Sequence, residues 1–390
     1  MKIIILVRIL WTAGAQKIAI KEAQALSALG HDVRLIFLRS TESGKNLQPE
    51  LDKISYRIFS NTAYKPRRIY STITGIFAPD RKGEGTVDYD LIKKFAASIK
   101  PDECDYIICH DPWAGVAGLH LKKKYGIPYS VYVHERIGKK YGIPIIGYLA
   151  KRIELRVLQN ATLVLGVTPK VSASVKENFN VECIADLPGM DLEKFYTFEN
   201  KENVLLASAT WDQDRNPEDY LNIIELLPDF KLLIVGRWRS SVERDRFKVL
   251  ICNRKLSEKV YFIDSIDENE MSELYAKAKF LLRFGKDEAG VGTSTIESIS
   301  HLTPVIISSL GISDLIENYG AGFVLNDKTP DKAAAIIQEN NRQEIYDKLQ
   351  ANLKKITSLY TWEQHSRLLI NHSPEEKTDI VKKPTLSHSR

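Results

Sequence analysis

The chain of 390 residues is 44% hydrophobic and 27% charged with a net charge of +5, too long for one ordinary domain and apolar enough to fill two cores. No apolar run reaches the roughly 18 residues of a membrane span, and Cys104, Cys109, Cys183 and Cys252 have neither metal-ligand spacing nor a disulfide framework, which argues against membrane-spanning and cysteine-stapled classes. The charge is lopsided: residues 1–186 carry 28 Lys and Arg against 18 Asp and Glu, the remainder 27 against 32, and no recognition motif accompanies the basic half to suggest nucleic acid.

The opening MKIIILVRIL enters a strand at 3–7 with no cleavage site, so a cytoplasmic location is expected. Residues 11–16 then join it to a helix over 15–29 that Gly30 ends. This loop lacks the Gly-x-Gly-x-x-Gly of a dinucleotide site, and no phosphate-binding Gly-Lys-Ser/Thr occurs, so dehydrogenase and nucleoside triphosphatase readings lose their main support. Gly14 still permits close backbone approach to a ligand. Strands at 33–38, 106–109, 130–133 and 163–167 alternate with helical patterns, as in a parallel sheet with crossover helices. His110 stands at the tip of the 106–109 strand and His134 at the tip of the next, both at a cleft edge where ligands bind in such sheets. Two segments, KPRRIYSTITGIF at 65–77 and KKYGIPIIGYLAKRIELR at 139–156, mix cations with apolar and aromatic residues. Each reads either as a solvated basic face or as a surface for an anionic membrane.

Proline, glycine and charge interrupt the rhythm at 186–196, and strands at 204–207, 232–235, 260–263, 280–282 and 305–307 then repeat it. The fold class expected is α/β, two doubly wound Rossmann-like domains facing across a cleft: residues 1–187, then 188–360, with 361–372 a helix crossing back to the first domain and 373–390 a polar, disordered tail. Arg215, between a strand and a helix, offers a bidentate partner for a diphosphate, and Arg237 after the 232–235 strand can assist. Asp212 and Asp214 match an Asp-x-Asp metal pattern that chance also explains, and no metal is assigned. The stretch 284–307, FGKDEAGVGTSTIESISHLTPVII, reads as a nucleotide-sugar site. Gly290 and Gly292 let the backbone bend toward a ligand, Thr293, Ser294 and Thr295 open a helix, and Glu297 in its first turn can accept hydrogen bonds from sugar or ribose hydroxyls.

Taken in order, GHDVRLIF, PDECDYIICHDPWAGVAG, PGMDLEKF, DRNPEDYL, KLLIVG, KVYFIDSIDENEMSELYAKAKFLL and TWEQHSRLL resemble the landmarks of the family 4 glycosyltransferases, retaining enzymes of the two-domain GT-B fold, over nearly the whole length. The resemblance implies that the first domain faces the acceptor and the second binds a nucleoside diphosphate sugar. It also implies that His110 lies near the transferred sugar, that Glu297 is the second glutamate of a paired motif and binds the ribose, and that Arg215 replaces a diphosphate-binding lysine. Glu288 would serve as the first glutamate, although eight residues separate it from Glu297 where the family has seven, and the register position is Ala289. Thr210 stands where the family has an arginine, leaving Arg237, Arg283 or Lys286 to replace it, and Ala13-Gly14 stands for a Gly-Gly pair. On this reading His110 and Glu288 are catalytic. Gly14, Arg215, Arg237, Gly290, Gly292, Thr293 and Glu297 bind the donor, and His134 is a candidate acceptor or sugar contact. No cofactor or metal is expected, and the partners are a nucleotide-sugar donor, a glycan or lipid-linked acceptor and an anionic membrane surface. A non-hydrolysing epimerase and a non-catalytic nucleotide-sugar-binding scaffold are the alternatives.

Overall fold

The computed structural model describes residues 1–11, 14–60, 89–135, 137, 144–264, 266–285, 289–325 and 329–370. Glu288, Lys286, the 65–77 segment and the 373–390 tail lie outside them.

The first half builds a seven-stranded, wholly parallel sheet: β1 (Lys2–Leu10), β2 (Asp32–Ser40), β3 (Tyr56–Ile58), β4 (Tyr106–His110), β5 (Tyr129–Val133), β6 (Leu163–Gly166) and β7 (Ile184–Ala185), in the order β3-β2-β1-β4-β5-β6-β7. The second half builds a six-stranded parallel sheet of β8 (Glu202–Ser208), β9 (Lys231–Val235), β10 (Val260–Ile263), β11 (Ala278–Arg283), β12 (Val305–Ser308) and β13 (Gly322–Leu325), in the order β10-β9-β8-β11-β12-β13. Helices cover both faces, which is why β4, β5, β6 and β11 are buried along their whole lengths and are largely apolar. All ten expected strands are present. The three that the pattern did not announce are the edge strands β3, β7 and β13, of which β3 and β7 have no fully buried residue and β13 only Leu325.

Each sheet reverses its strand order once, between β1 and β4 and between β8 and β11. Ligands bind beyond the carboxyl ends of strands at such points. The residues that leave those ends are the start of α1 (Gly14–Ala28), His110, the 209–216 loop and Arg283. The crossover helices are anchored by their own chemistry. The Thr168 hydroxyl caps α6 (Pro169–Phe179) by accepting from Val171 N–H, after α2 (Gln48–Leu51), α3 (Tyr89–Ser98), α4 (Gly115–Tyr125) and α5 (Pro144–Asn160). Asp267 and Glu270 close a capping box on α9 (Glu268–Lys277), which follows α7 (Pro217–Glu225) and α8 (Ser241–Asn253).

The chain crosses twice between the sheets. Residues 186–201 carry it over, and after α10 (Thr293–Ser300), α11 (Ser313–Tyr319), α12 (Pro330–Asn340) and α13 (Gln343–Leu359) the helix α14 (Trp362–Ile370) returns to pack on α1. The two crossings hold each other: Met190 N–H donates to the Tyr360 carbonyl, Trp362 N–H donates to Asp191 Oδ1, and a Cβ added at Gly189 would meet Trp362 at 2.4 Å.

Candidate active site

The carboxyl ends of the two sheets meet. Gly14, at the start of α1, lies so close to Thr293, at the start of α10, that an added Cβ would stand 2.7 Å from the threonine side chain. The glycine turn before α10 is tied to the first half by the Thr168 hydroxyl, which donates to the Ala289 carbonyl at 2.5 Å, and is braced within its own half by Gly311 N–H donating to the Gly290 carbonyl. A Cβ at Gly290 would lie 3.5 Å from the His134 carbonyl. Gly292 has a φ of +62°, a left-handed conformation that disfavours a side chain.

Glu297 is engaged on both oxygens. Oε1 accepts from Lys17 Nζ of α1 at 2.7 Å and Oε2 from the Tyr275 hydroxyl at 2.6 Å. Lys17 also pairs with Glu268 at 2.7 Å, so one ammonium joins two carboxylates of the second half to the first. Burial of Lys17 favours its neutral form, but Glu297 and Glu268 outweigh burial and raise its pKa. Burial likewise pushes Glu297 up, while Lys17 and Tyr275 pull it below the usual carboxylate range. These side chains line a cavity of about 380 Å³ that reaches from Thr293 and Glu297 to Trp362 at the crossing. A carboxylate has about four acceptor sites. Two remain on Glu297 for hydroxyl donors.

On the other side of the turn, a Cβ at Gly285 would lie 3.2 Å from Arg215 Nη1 and one at Gly292 would lie 3.3 Å from Arg283 Nε. The two guanidiniums therefore flank the glycine turn. Burial, then the charge of Arg215, lowers Arg283 to about 10, and burial also lowers Arg215 against the pull of Asp212. Two cations forced together out of water are a site for a polyanion. Arg283 thus stands beside Arg215 at the turn, whereas Arg237 is exposed past the end of β9. Asp212 pairs with Arg239 at 3.3 Å, and among the described residues no cluster of His, Cys, Asp and Glu suits a metal.

His110 is placed differently from the expectation that it faces the cleft. It is 2% exposed, and both ring nitrogens are bonded: Nε2 to Glu22 Oε2 at 2.7 Å and Nδ1 to His134 Nε2 at 2.9 Å. His134 is half-buried, its ring nearly parallel to that of His110 with centroids 5.0 Å apart, and its carbonyl stands beside Gly290 of the glycine turn. The reason is local. Asp111 adopts a φ of +94°, a turn in which its Oδ1 accepts from Trp113 and Ala114 N–H and its Oδ2 from Arg8 Nε, ending β4 abruptly and leaving His110 beneath the surface. Behind His110, Glu22 Oε1 bonds His365 Nε2 of α14 at 2.8 Å, and His365 Nδ1 bonds Asp186 Oδ2 at 2.6 Å.

Lys17, Glu22, Tyr275, Glu268 and His365 were not singled out from the sequence. Glu22 left a signal: Ile18, Ala19 and Leu26, at helical spacings from it, are apolar and buried, so a carboxylate on that face needs an internal partner. His365 left the same one, four residues before the buried Leu369.

Two facing parallel-sheet units, with Arg283 and Arg215 beside a glycine turn on one rim and imidazoles on the other, have the GT-B architecture. Residues 12–185 match the family described as Glycosyltransferase Family 4 and residues 191–358 the one described as Glycosyl transferases group 1. The chain belongs to the family 4 glycosyltransferases. It is similar to the O-antigen chain mannosyltransferase RfbU of Salmonella typhimurium, 26% identical over 218 residues, a match that spans 55% of this chain and only 60% of that relative's length. Among solved structures it resembles Anabaena HepE in complex with UDP and glucose (TM-score 0.71, 16% identity, 95% of this chain and 98% of that one). Sucrose-phosphate synthase of Thermosynechococcus elongatus is similar in fold (TM-score 0.71, 19% identity, 94% and 97%).

Proposed function

We propose that the chain transfers a sugar from a nucleoside diphosphate sugar to a hydroxyl of a glycan, with retention at the anomeric carbon. The observation that carries this reading is the pairing of the half-buried Arg215 with the buried Arg283 at the glycine turn. Burial disfavours both charges and Arg215 further disfavours that of Arg283, a strain that a diphosphate relieves, most of all when the glycosidic bond breaks and the leaving group gains charge. The amides at the start of α10 add to this. Glu297, with two free acceptor sites between Lys17 and Tyr275, would hold the ribose hydroxyls and so place the anomeric carbon. His134 is proposed to take over the sugar contact expected of His110, since it is half-buried at the end of β5 whereas His110 is closed off. Glu288 is proposed to orient the sugar, and Gly14 with Thr293 to close the site against water.

The match to an O-antigen chain mannosyltransferase supports a glycan acceptor, and the HepE complex supports a nucleoside diphosphate donor. A lipid-linked acceptor at an anionic surface fits α5, where Tyr148 is 61% exposed with the Arg152 guanidinium 5.7 Å from its ring centroid. Among the described residues no helix is long and apolar enough to cross a membrane. The test is a thermal-shift screen of nucleotide sugars followed by nucleoside diphosphate release with and without acceptor extract, the product's anomeric configuration being read by NMR. Acceptor-dependent release with a retained anomer is the expected result. Absence of stabilisation by every donor would overturn the reading, and turnover of donor without acceptor would indicate an epimerase.

A further inference from the structure

Helix α1 lays one face along the second half. Gly14, Lys17 and Lys21, three and four residues apart, meet Thr293, Glu297 and Glu193 in turn, and Glu193 N–H is itself bonded to the Ser300 carbonyl at the end of α10. Lys21 reaches Glu193 at 3.3 Å near the surface, an ion pair that docks the helix and does little more. Lys17 is placed differently. It stands between Glu297 and Glu268, 2.7 Å from each, and its side chain and that of Glu297 keep 23% and 25% of their surface open while both line the cavity of about 380 Å³.

An ammonium carries three N–H donors. Glu297 Oε1 and Glu268 Oε1 take two of those on Lys17, and no described residue takes the third. Glu297 accepts from Lys17 and Tyr275 and keeps lone pairs for further donors. An unused donor from the first half and unused acceptors from the second thus stand one hydrogen bond apart on a cavity wall. A phosphate group does not suit them, having no proton for Glu297 and meeting two carboxylates. A lone hydroxyl answers only one of them well. Vicinal hydroxyls on a sugar ring, themselves about a hydrogen-bond length apart, answer both: one donates to Glu297 and its neighbour accepts from Lys17.

We propose that Lys17 and Glu297 read the 2′- and 3′-hydroxyls of the donor's ribose as a pair, so that the chain takes ribonucleoside diphosphate sugars and rejects 2′-deoxy ones. This rests on the reading of Glu297 as the ribose anchor. Without the 2′-hydroxyl, either the ammonium or the carboxylate loses its answer, and a site built to bond a hydroxyl discriminates strongly against a ligand that lacks it. Glu268 holds the ammonium in place for this. The pair is made by two halves of the molecule, so it exists only while α1 lies along α10.

The test is calorimetry on the full chain with UDP, CDP, ADP and GDP, each beside its 2′-deoxy form. Whichever base binds, the ribonucleotide should bind about tenfold or more tighter than its deoxy counterpart. Lys17→Met keeps the apolar stem and removes the donors, so the ratio should fall to about threefold or less, whereas Lys17→Arg should keep most of it. Lys21→Met removes the neighbouring ion pair and so reports any general loosening of α1; the ratio there should stay at its native value. A native chain that binds both forms equally overturns the proposal with no variant required, as does a ratio unchanged in Lys17→Met. In both cases a nucleoside diphosphate still binds and the transfer reading stands. Absence of binding by all four ribonucleotides and their deoxy forms would defeat the transfer reading, and this pair's ligand with it.

Discussion

His365 gives a prediction whose sign and size follow from its surroundings. In the folded chain it is an imidazolium between two buried carboxylates with a pKa of about 9, against 6.5 for a free histidine. A group raised on folding contributes its full stability below the unfolded value and loses it as pH rises through the folded value. The window is therefore pH 6.5 to about 9. At about 1.4 kcal/mol per unit the contribution is about 3 kcal/mol. Native and His365→Gln proteins should be unfolded in denaturant across this window and their stabilities subtracted. The subtraction matters because the buried lysines Lys201, lowered by burial and Lys279 to about 7, and Lys279, lowered by burial to about 8, titrate there with the opposite sign. Each of those is easier to protonate when unfolded, so it adds stability as pH rises. The difference between native and variant should shrink by about 3 kcal/mol from pH 6.5 to 9. Parallel curves would refute the imidazolium, and a widening gap would reverse the sign of the argument.

Glu297→Gln keeps an oxygen for Tyr275 and leaves Lys17 paired with Glu268, so the fold should survive while nucleoside diphosphate sugar affinity by calorimetry falls about ten- to hundredfold; unchanged affinity would remove Glu297 from the donor site. Gly292→Ala places a Cβ at φ +62° and 3.3 Å from Arg283 Nε, at a cost of about 1–2 kcal/mol in stability. Donor binding should weaken beyond that loss, and a variant that binds like the native chain would separate Arg283 from the diphosphate. Asp111→Ala removes the acceptor of Trp113 and Ala114 N–H and of Arg8 while keeping the positive φ, and should lower stability by about 1–2 kcal/mol in thermal melts. Asp111→Gly, which relieves the φ, should lose less; equal losses would contradict the strain argument.

How much of this was legible follows from where each residue finds its partners. Nine of the ten expected strands are internal and largely apolar because both of their faces are covered, and the tenth, β10, is an edge strand that still carries a short apolar run, while the edge strands β3, β7 and β13 are short and little buried. The glycine turn, Thr293, Glu297 and Arg215 were readable because a turn, a helix start and a strand end are local features. Arg283 was named only as one of three substitutes, because its proximity to Arg215 is made by the pairing of β8 with β11 and not by spacing along the chain. His110 and His134 were both found, but their order of depth was not, since it depends on the backbone at Asp111. Lys17, Glu22 and His365 act through partners up to 343 residues away, and a helical pattern shows a polar residue on an apolar face without showing what answers it.

The 343-residue separation of Glu22 and His365 also has a consequence during synthesis. A ribosome delivers the first sheet, with Glu22, His110 and His134, long before it delivers α14. Until residue 365 emerges, Glu22 has one oxygen without its imidazole partner. A nascent chain can therefore own a folded first unit and still carry a buried carboxylate answered on one side only. The unit that is made first has its interior completed by a helix that is made after the whole of the second sheet.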